Sequence, residues 1–451
     1  MRHCMDPGFD TSEMAKASGV GWRAAPGRRV ALFALAGAAI ATSTPARAST
    51  TNMMTSFYNS VQKTEHVFAI PTTVHGFRSS SVPLTEFYYD GHWHANLNFN
   101  QPSATTPLRG SGMAAMFDGT VQHLFFAQTS SALSASHVDY QEPWELYYTG
   151  NWFSGDLTPG GPLLNLETLQ NCNSFGEACV SLETSSLSAL WDGTVEHVFY
   201  ASQANHLLEA YNPGGGWFTN DLTAHSGDSP LFVATKIASM WDGATEYVFY
   251  TAGGDDAMFK MVSCGPAGCW TQVTDLLAAI NDAPNDGMCG FAVGSTLNVF
   301  FVSFHDLHVR RVYRTSPGNG EAPFWSLDDV TTLSGETASP LTTPNCYNDG
   351  TAWHVFFGDN GGHVQEIYFA GGVWTARDVT LSTGDVNLNI GNGDPSPMTG
   401  FSDGSFNHLF YTGVDGHIHE AFHTTALLGS RWAANDLNVS AGAASTINFH
   451  D

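Results

Sequence analysis

One apolar segment recurs seven times along this 451-residue chain and limits the folds that it can adopt. Its copies are EHVFA, QHLFF, EHVFY, EYVFY, NVFF, WHVFF and NHLFY, beginning at Glu65, Gln122, Glu196, Glu246, Asn298, Trp353 and Asn407. Each copy has the length and the aromatic and β-branched content of a short β-strand. A unit that returns every 50 to 60 residues indicates a repeat architecture.

Further signals surround each copy at nearly constant positions. Asp-Gly pairs, typical of a type I′ hairpin, precede the segment in five copies, and a tryptophan closes the unit, followed by an aspartate four or five residues later: Trp152 and Asp156, Trp217 and Asp221, Trp270 and Asp275, Trp325 and Asp329, Trp374 and Asp378, Trp432 and Asp436. Each unit thus contains four short strands. We predict an all-β fold, a seven-bladed β-propeller of four-stranded antiparallel blades, closed where the C-terminal segment from Ser445 joins the first blade.

The N-terminal 48 residues differ from the repeats. Arg28 and Arg29 precede the apolar stretch VALFALAGAAIA, and the small-x-small site Ala46-Arg47-Ala48 follows it. This order is typical of a secretory signal peptide, and the stretch is too short to span a bilayer. We therefore expect a signal peptide over residues 1–48, a propeller over residues 49–451, and a secreted protein without membrane insertion.

Charge and cysteine content fit an exported protein. Of the chain's 16 Lys+Arg and 42 Asp+Glu residues, six and three lie in residues 1–48, which leaves 10 basic and 39 acidic residues and a formal charge of −29. Such a surface repels phosphate backbones, so we expect no nucleic-acid partner. The six cysteines after residue 48 form an even set, for which we expect the pairs Cys172–Cys179, Cys264–Cys269 and Cys289–Cys346.

A histidine and a glutamate twelve residues apart recur in three of the units. They are His197 and Glu209, His354 and Glu366, and His408 and Glu420. A hairpin with loop residues 201–205 would pair each histidine directly with its glutamate across two strands, where Cβ atoms lie about 5 Å apart. Two interpretations stay open: a cross-strand hydrogen bond that satisfies two half-buried groups, or a sugar site in which both side chains bind hydroxyls beside an aromatic wall.

The pattern of a polar residue before VFY, a glutamate twelve positions later, a glycine turn and a tryptophan resembles the Aleuria-type fucose-binding propeller lectins of fungi and bacteria. In that family an arginine stands where this chain has His197, His354 and His408, and the binding glutamate matches Glu209, Glu366 and Glu420. The aromatic wall comes from the following blade, which implicates Trp270, Trp432 and, across the ring closure, Trp93. The resemblance implies a multivalent lectin for fucose or a related sugar, with glycans as partners.

Other functions were weighed against this one. Alternating histidines, His92 with His94 and His417 with His419, offer two metal ligands but no evident third, so we expect no metal and no cofactor. A two-carboxylate glycosidase would have one catalytic site, whereas this polar group is repeated, so we expect no enzyme. A secreted scaffold or adhesin that binds protein partners without sugar sites is the main alternative.

If ordinary histidines bind sugar, binding should change between about pH 5 and 8.

Overall fold

Short apolar strands and tight turns build the whole described part of the chain. The computed structural model describes residues 54–70, 84–96, 112–129, 141–158, 187–202, 206–226, 233–252, 258–265, 268–315, 324–389, 397–425 and 431–443. These residues form seven four-stranded antiparallel sheets, each a meander of four consecutive strands. The predicted seven-bladed propeller is confirmed. The predicted signal peptide and the segment from Ser445 lie outside the described residues.

The strands follow the repeats in chain order. Blades one to three contain β1 to β4 (Met54–Asn59, Thr64–Ala69, Thr85–Tyr89, Trp93–Asn96), β5 to β8 (Met113–Phe117, Gln122–Thr129, Gln141–Tyr148, Trp152–Asp156) and β9 to β12 (Leu187–Trp191, Glu196–Ala201, Leu207–Asn212, Phe218–Asp221). Blades four and five contain β13 to β16 (Val233–Trp241, Glu246–Ala252, Met258–Gly265, Gly268–Asp275) and β17 to β20 (Pro284–Val293, Thr296–Ser303, Val309–Thr315, Phe324–Asp329). Blades six and seven contain β21 to β24 (Asn345–Asn348, Trp353–Gly358, Val364–Ala370, Val373–Asp378) and β25 to β28 (Met398–Ser402, Phe406–Thr412, Ile418–Thr424, Ala433–Asp436).

A one-turn helix follows the last strand of blades three to seven: α1 (Leu222–Ser226), α2 (Leu276–Ile280), α3 (Val330–Ser334), α4 (Val379–Thr383) and α5 (Leu437–Ser440). The recurring aspartate of the closing strand caps these helices. In α2 to α5 the side chain of Asp275, Asp329, Asp378 or Asp436 accepts a backbone N–H of the first turn. Such a cap satisfies a donor that has no partner inside the helix, which explains why the aspartate is repeated.

The core lies between the blades. The described residues form seven buried apolar clusters, and each cluster joins two neighbouring blades. The cluster between blades seven and one contains Phe410 with Met54 and Trp93, and Ser56 Oγ lies 2.8 Å from Thr399 Oγ1 across the same boundary. The ring therefore closes by ordinary packing of blade seven against blade one.

One predicted disulfide is confirmed. Cys289 and Cys346 are bonded, with Cα atoms 5.8 Å apart, and link the first strands of blades five and six. Cys172, Cys179 and the side chain of Cys269 lie outside the described residues, so the other two pairs remain predictions.

The Asp-Gly turns differ from the type I′ prediction. In a type I′ turn both central residues have positive φ, but here the glycine alone does, as at Gly119 and Gly193. The aspartate instead accepts backbone N–H groups with its side chain, and Asp118 Oδ1 lies 2.6 Å from Thr120 N and 2.5 Å from Val121 N. Because Oδ1 accepts these hydrogen bonds within the turn, the other carboxylate oxygen, Oδ2, faces the second strand.

Candidate functional site at the blade junctions

The predicted histidine and glutamate meet in every blade where they were expected. Imidazole Nδ1 lies 2.6 Å from the glutamate Oε1 in the pairs His197–Glu209 and His354–Glu366, and 2.7 Å away in His408–Glu420. At these distances each imidazole donates its Nδ1–H to the carboxylate. We call each such couple a His–Glu pair.

The predicted register of these pairs is wrong by two residues. His197 lies opposite Tyr211, and Glu209 lies opposite Phe199. Strand β10 continues the pairing to Ala201, and Ser202 N donates to His206 O at 2.8 Å, so the connection spans residues 203–205 rather than 201–205. A shift of two residues keeps both side chains on the same face of the sheet, which is why the contact survives the wrong register. The pairs of blades six and seven are displaced in the same way.

A tryptophan of the following blade completes the group at two junctions. The Trp270 indole donates its Nε1–H to Glu209 Oε2 at 3.0 Å, and Trp432 donates to Glu366 Oε2 at 3.0 Å. Trp93, the aromatic residue predicted for the third group, packs edge-on against Phe410 of blade seven with ring centroids 6.0 Å apart. The structure thus brings each predicted aromatic residue to its predicted junction.

All nine predicted site residues are buried. None of His197, Glu209, Trp270, His354, Glu366, Trp432, His408, Glu420 and Trp93 is more than 7% exposed. The second carboxylate oxygen also has a partner in its own blade: Asn220 Nδ2 lies 2.7 Å from Glu209 Oε2, Asn435 Nδ2 lies 2.8 Å from Glu420 Oε2, and Arg377 Nε donates to Glu366 Oε2. The carboxylates of the three glutamates therefore already accept hydrogen bonds from other side chains of the protein.

Blades one and two carry the same pair at a longer spacing. His66 Nδ1 lies 2.9 Å from Glu86 Oε1, and His123 Nδ1 lies 2.6 Å from Glu145 Oε1. Trp217 of blade three donates to Glu145 Oε2 at 3.0 Å. The sequence offers these residues as a histidine and a later glutamate separated by longer loops, and the structure brings each couple together.

Blades four and five have other residues at the two positions. The shifted register places Met261 opposite Phe249, and Arg311 opposite Phe300, where the other blades have the glutamate. The spacing of twelve indicated Phe259 and Arg310 instead. In blade five Arg311 Nε donates to Asn298 Oδ1 at 2.9 Å, so these side chains form a different polar contact.

A second polar layer, which the sequence reasoning missed, faces the free end of each imidazole. At the junction of blades two and three, His123 Nε2 lies 3.6 Å from Asp118 Oδ2 and 3.6 Å from Glu196 Oε1. At the junction of blades three and four, the corresponding distances from His197 Nε2 are 3.9 Å to Asp192 Oδ2 and 3.4 Å to Glu246 Oε1. The aspartate comes from the Asp-Gly turn and the glutamate from the blade that follows.

The surrounding carboxylates shift the pKa values of these groups. Burial lowers the pKa of His197, but the carboxylates of Asp192, Glu209 and Glu246 outweigh it and raise this pKa to about 10. By the same balance the pKa of His123 rises to about 9. Burial raises the pKa of Glu196 to about 7. The pH dependence expected from ordinary histidines is therefore not expected from these imidazoles.

The alternating histidines considered as metal ligands lie elsewhere on the fold. His94 Nε2 lies 2.9 Å from Asp90 Oδ1, and Asp90, His92 and His94 form an exposed group whose ligand atoms lie within 4.8 Å of one another. His417 Nδ1 lies 2.8 Å from Asp436 Oδ2. Asp90 lies two residues before His92, in the turn between β3 and β4, so it was within reach of the sequence, whereas Asp436 comes from a different strand.

Comparison with known proteins gives a likeness of fold. No protein-family model and no curated protein matches the chain. The BP39L lectin from Burkholderia pseudomallei aligns with a TM-score of 0.55 and 13% identity, over 85% of this chain and 98% of that one. An Aleuria aurantia lectin mutant in complex with α-methyl-L-fucoside gives a TM-score of 0.40 and 15% identity, over 70% of this chain and 90% of that one.

A prolyl endopeptidase structure aligns as well, with a TM-score of 0.46 and 10% identity, over 87% of this chain and 50% of that one. Among the described residues, no helix is long and apolar enough to cross a membrane. At these identities the likeness establishes the propeller fold, which this chain shares with the Burkholderia lectin.

Proposed function

We propose that this chain is a secreted, multivalent carbohydrate-binding propeller whose sugar sites lie at the blade junctions. The observation that carries the proposal is the repeated group itself. A His–Glu pair of one blade meets a tryptophan of the next at several places around the ring, and the indole donates to the carboxylate at 3.0 Å. Repetition suits multivalent binding, because several weak sites gain avidity on a surface that displays many copies of a sugar.

The proposed contacts are His197, Glu209 and Trp270, then His354, Glu366 and Trp432, then His408, Glu420 and Trp93. Because each carboxylate already accepts protein hydrogen bonds, a sugar hydroxyl must replace one of them. At the first site the replaceable donors are the Trp270 indole and the Asn220 amide, both on Glu209 Oε2. Binding therefore includes a small rearrangement at the junction, with the indole moving from the carboxylate to cover the apolar face of the sugar ring.

Fucose or a related sugar is the proposed ligand, on the basis of the resemblance to the Aleuria-type lectins. A histidine stands where that family has arginine, and an imidazole cannot supply the planar pair of donors of a guanidinium. We therefore expect weaker or altered sugar selectivity. The signal peptide predicted over residues 1–48 supports secretion, and the repetition of the polar group supports binding without catalysis.

The test is a glycan array with the mature protein, followed by the variant Glu209→Gln with Glu366→Gln and Glu420→Gln. Gln keeps the size of the side chain and removes the charge that accepts a sugar hydroxyl most strongly. Binding that free monosaccharide abolishes, and that weakens as the three substitutions accumulate, would support the proposal. Unchanged affinity in a triple variant with a normal circular dichroism spectrum would exclude these sites. Glu336→Gln, in the segment after α3 and outside the three proposed sites, is the matched control.

A second function is favoured by one observation, the burial of all nine predicted sugar contacts. Buried and hydrogen-bonded, the His–Glu pairs can serve to fasten neighbouring blades, and the propeller can act as a scaffold or adhesin that binds protein. In that case the mature protein binds no glycan on the array, and the Glu→Gln variants lose thermal stability without any change in glycan signal.

A further inference from the structure

Two blade junctions present one imidazole nitrogen and two carboxylate oxygens to a common point. At the junction of blades two and three these atoms are His123 Nε2, Asp118 Oδ2 and Glu196 Oε1, and all three lie within 4.8 Å of one another. At the next junction His197, Asp192 and Glu246 make the same arrangement. Each group combines a turn aspartate, a histidine of the second strand, and a glutamate of the following blade.

The distances in these groups do not fit hydrogen bonds. His123 Nε2 and His197 Nε2 are buried and have no hydrogen-bond partner, and the oxygens that face them are 3.4–3.9 Å away, beyond the usual N–H···O range of about 2.7–3.2 Å. Two ligands of a tetrahedral zinc ion, with bonds of about 2.0–2.2 Å, lie about 3.3–3.6 Å apart. Three of the four distances fall within this range, and the fourth, from His197 Nε2 to Asp192 Oδ2, is 3.9 Å.

The His–Glu pair orients each imidazole for such a role. Glu145 and Glu209 accept the Nδ1–H of His123 and His197, each at 2.6 Å. A cation that displaces the Nε2 proton would therefore meet an imidazole whose Nδ1–H stays bound to glutamate and whose Nε2 lies 3.4–3.9 Å from the two oxygens. Metal-binding histidines commonly donate their other N–H to a carboxylate in this way. The Trp217 and Trp270 indoles hold the second oxygen of these carboxylates.

At two other junctions the following blade has a glutamine or an asparagine at the position of this glutamate. At the junction of blades one and two, His66 Nε2 is hydrogen-bonded to Thr64 Oγ1 at 2.8 Å and to the Gln122 amide at 3.2 Å. At the junction of blades six and seven, His354 Nε2 lies 3.1 Å from Asp349 Oδ2, which also accepts from Asn407 Nδ2 at 2.9 Å. At the amide junctions the histidine Nε2 has a hydrogen-bond partner, whereas His123 Nε2 and His197 Nε2 have none.

The negative charge of these groups also favours a bound cation. Three carboxylates, those of Asp192, Glu209 and Glu246, surround the single imidazole of His197 in a buried setting, and three likewise surround His123. Gathering several carboxylates in a buried setting is costly, and a divalent cation would offset the negative charge of each group.

We propose that the junctions of blades two and three and of blades three and four each bind one first-row divalent cation, with zinc as the best fit. The ligands are Asp118, His123 and Glu196 at the first site and Asp192, His197 and Glu246 at the second, and water takes the fourth position. One imidazole and two carboxylates form a ligand set that suits zinc or manganese. The junction of blades seven and one is not included, because Glu65 lies nearer to Nδ1 than to Nε2 of His408 and Asp403 is 4.0 Å away. The proposal goes beyond sugar binding and does not depend on it; at the junction of blades three and four, a cation on His197 Nε2 would leave Glu209 and Trp270 as the sugar contacts.

The experiment uses the untagged mature protein, stripped with EDTA and dialysed, then titrated calorimetrically with zinc chloride and, in parallel, with manganese chloride. The key variant is Glu196→Gln with Glu246→Gln, which recreates the amide found at the junction of blades one and two and should therefore fold. We expect the double variant to bind two fewer ions than the wild type and each single variant to bind one fewer. The matched control Asp90→Asn removes the same charge from the exposed Asp90–His92–His94 group and should leave these two ions in place.

Three results would overturn the proposal: no binding of zinc or manganese by the wild type, an equal number of ions in the wild type and the double variant, or a loss of ions confined to Asp90→Asn. Anomalous scattering at the zinc edge from crystals soaked in zinc chloride gives a second readout that needs no variant. Peaks at the two junctions would support the proposal, and peaks confined to other places would contradict it.

Discussion

Replacing Glu366 with alanine should destabilise the propeller strongly, because this carboxylate connects three donors in a fully buried position. It accepts from His354 Nδ1 at 2.6 Å, from the Trp432 indole at 3.0 Å, and from the Arg377 guanidinium. Alanine would leave these donors buried without an acceptor. Because Trp432 belongs to blade seven, the loss would also loosen the boundary between blades six and seven.

The size of the effect follows from the environment of the carboxylate. Burial alone would raise the pKa of Glu366, but the hydrogen bond from His354 and the charge of Arg377 lower it from 4.5 to about 2. Each pKa unit corresponds to about 1.4 kcal/mol, so the folded state favours the charged carboxylate by about 3 kcal/mol. Breaking a buried ion pair by removing one partner costs about 3–5 kcal/mol. We therefore expect a loss of at least about 3 kcal/mol at pH 7.

The assay is denaturant unfolding followed by tryptophan fluorescence, with the disulfide intact in every protein. Glu366→Gln should lose less than Glu366→Ala, because the amide oxygen still accepts one hydrogen bond. Glu336→Ala removes a part-exposed carboxylate that accepts the backbone N–H groups of Thr337 and Ala338, and it should cost only about 1 kcal/mol. Since the pKa of Glu366 is lowered on folding, its contribution is present above pH 4.5 and is lost as the pH falls towards 2. A loss below about 1 kcal/mol for Glu366→Ala at pH 7 would refute the reasoning.

Three further predictions concern other parts of the ring. Burial, with the nearby charges of Glu420 and Asp403, raises the pKa of Glu65 to about 8, so the stability that this group contributes is full below pH 4.5 and is lost as the pH rises through 8. The difference in melting temperature between Glu65→Gln and the wild type should therefore change in favour of the variant when the pH is raised from 5 to 8. A change in favour of the wild type would contradict the assignment. Removing the Cys289–Cys346 disulfide by substitution with serine should cost up to about 4 kcal/mol, given its sequence separation of 57 residues, and denaturation midpoints that match the wild type would contradict this value. Asp275→Ala removes the N-cap of α2 and should cost about 1 kcal/mol, measured in the same unfolding assay, whereas an unchanged midpoint would show that the cap contributes nothing.

The repeats predicted the architecture because each one carries all the signals that a blade needs. Four short strands, their turns and the closing tryptophan recur together, so no long-range information was required to count the blades. The register was harder to predict. A spacing of twelve residues between His197 and Glu209 fits hairpin loops of three or five residues, and both put the two side chains on one face. The loop sequence contains no glycine or proline that would favour one length.

The second polar layer could have been predicted from the sequence. Neighbouring residues of a strand point to opposite faces of the sheet, and in a propeller the two faces meet two different blades. His197 therefore faces blade four, while Glu196 faces His123 of blade two. Reading the residue before each histidine as a partner of the preceding blade would have predicted these contacts. The burial of the group could not be predicted, because it depends on how closely the blades pack.

The central claim, that this propeller binds carbohydrate at its blade junctions, is tested most directly by a glycan array probed with the mature protein in the presence and absence of free monosaccharides. The account predicts binding to a subset of glycans that free fucose or a related monosaccharide abolishes. Folded protein that binds no glycan, or whose binding no monosaccharide reduces, would contradict it and leave the junction groups as fasteners between blades.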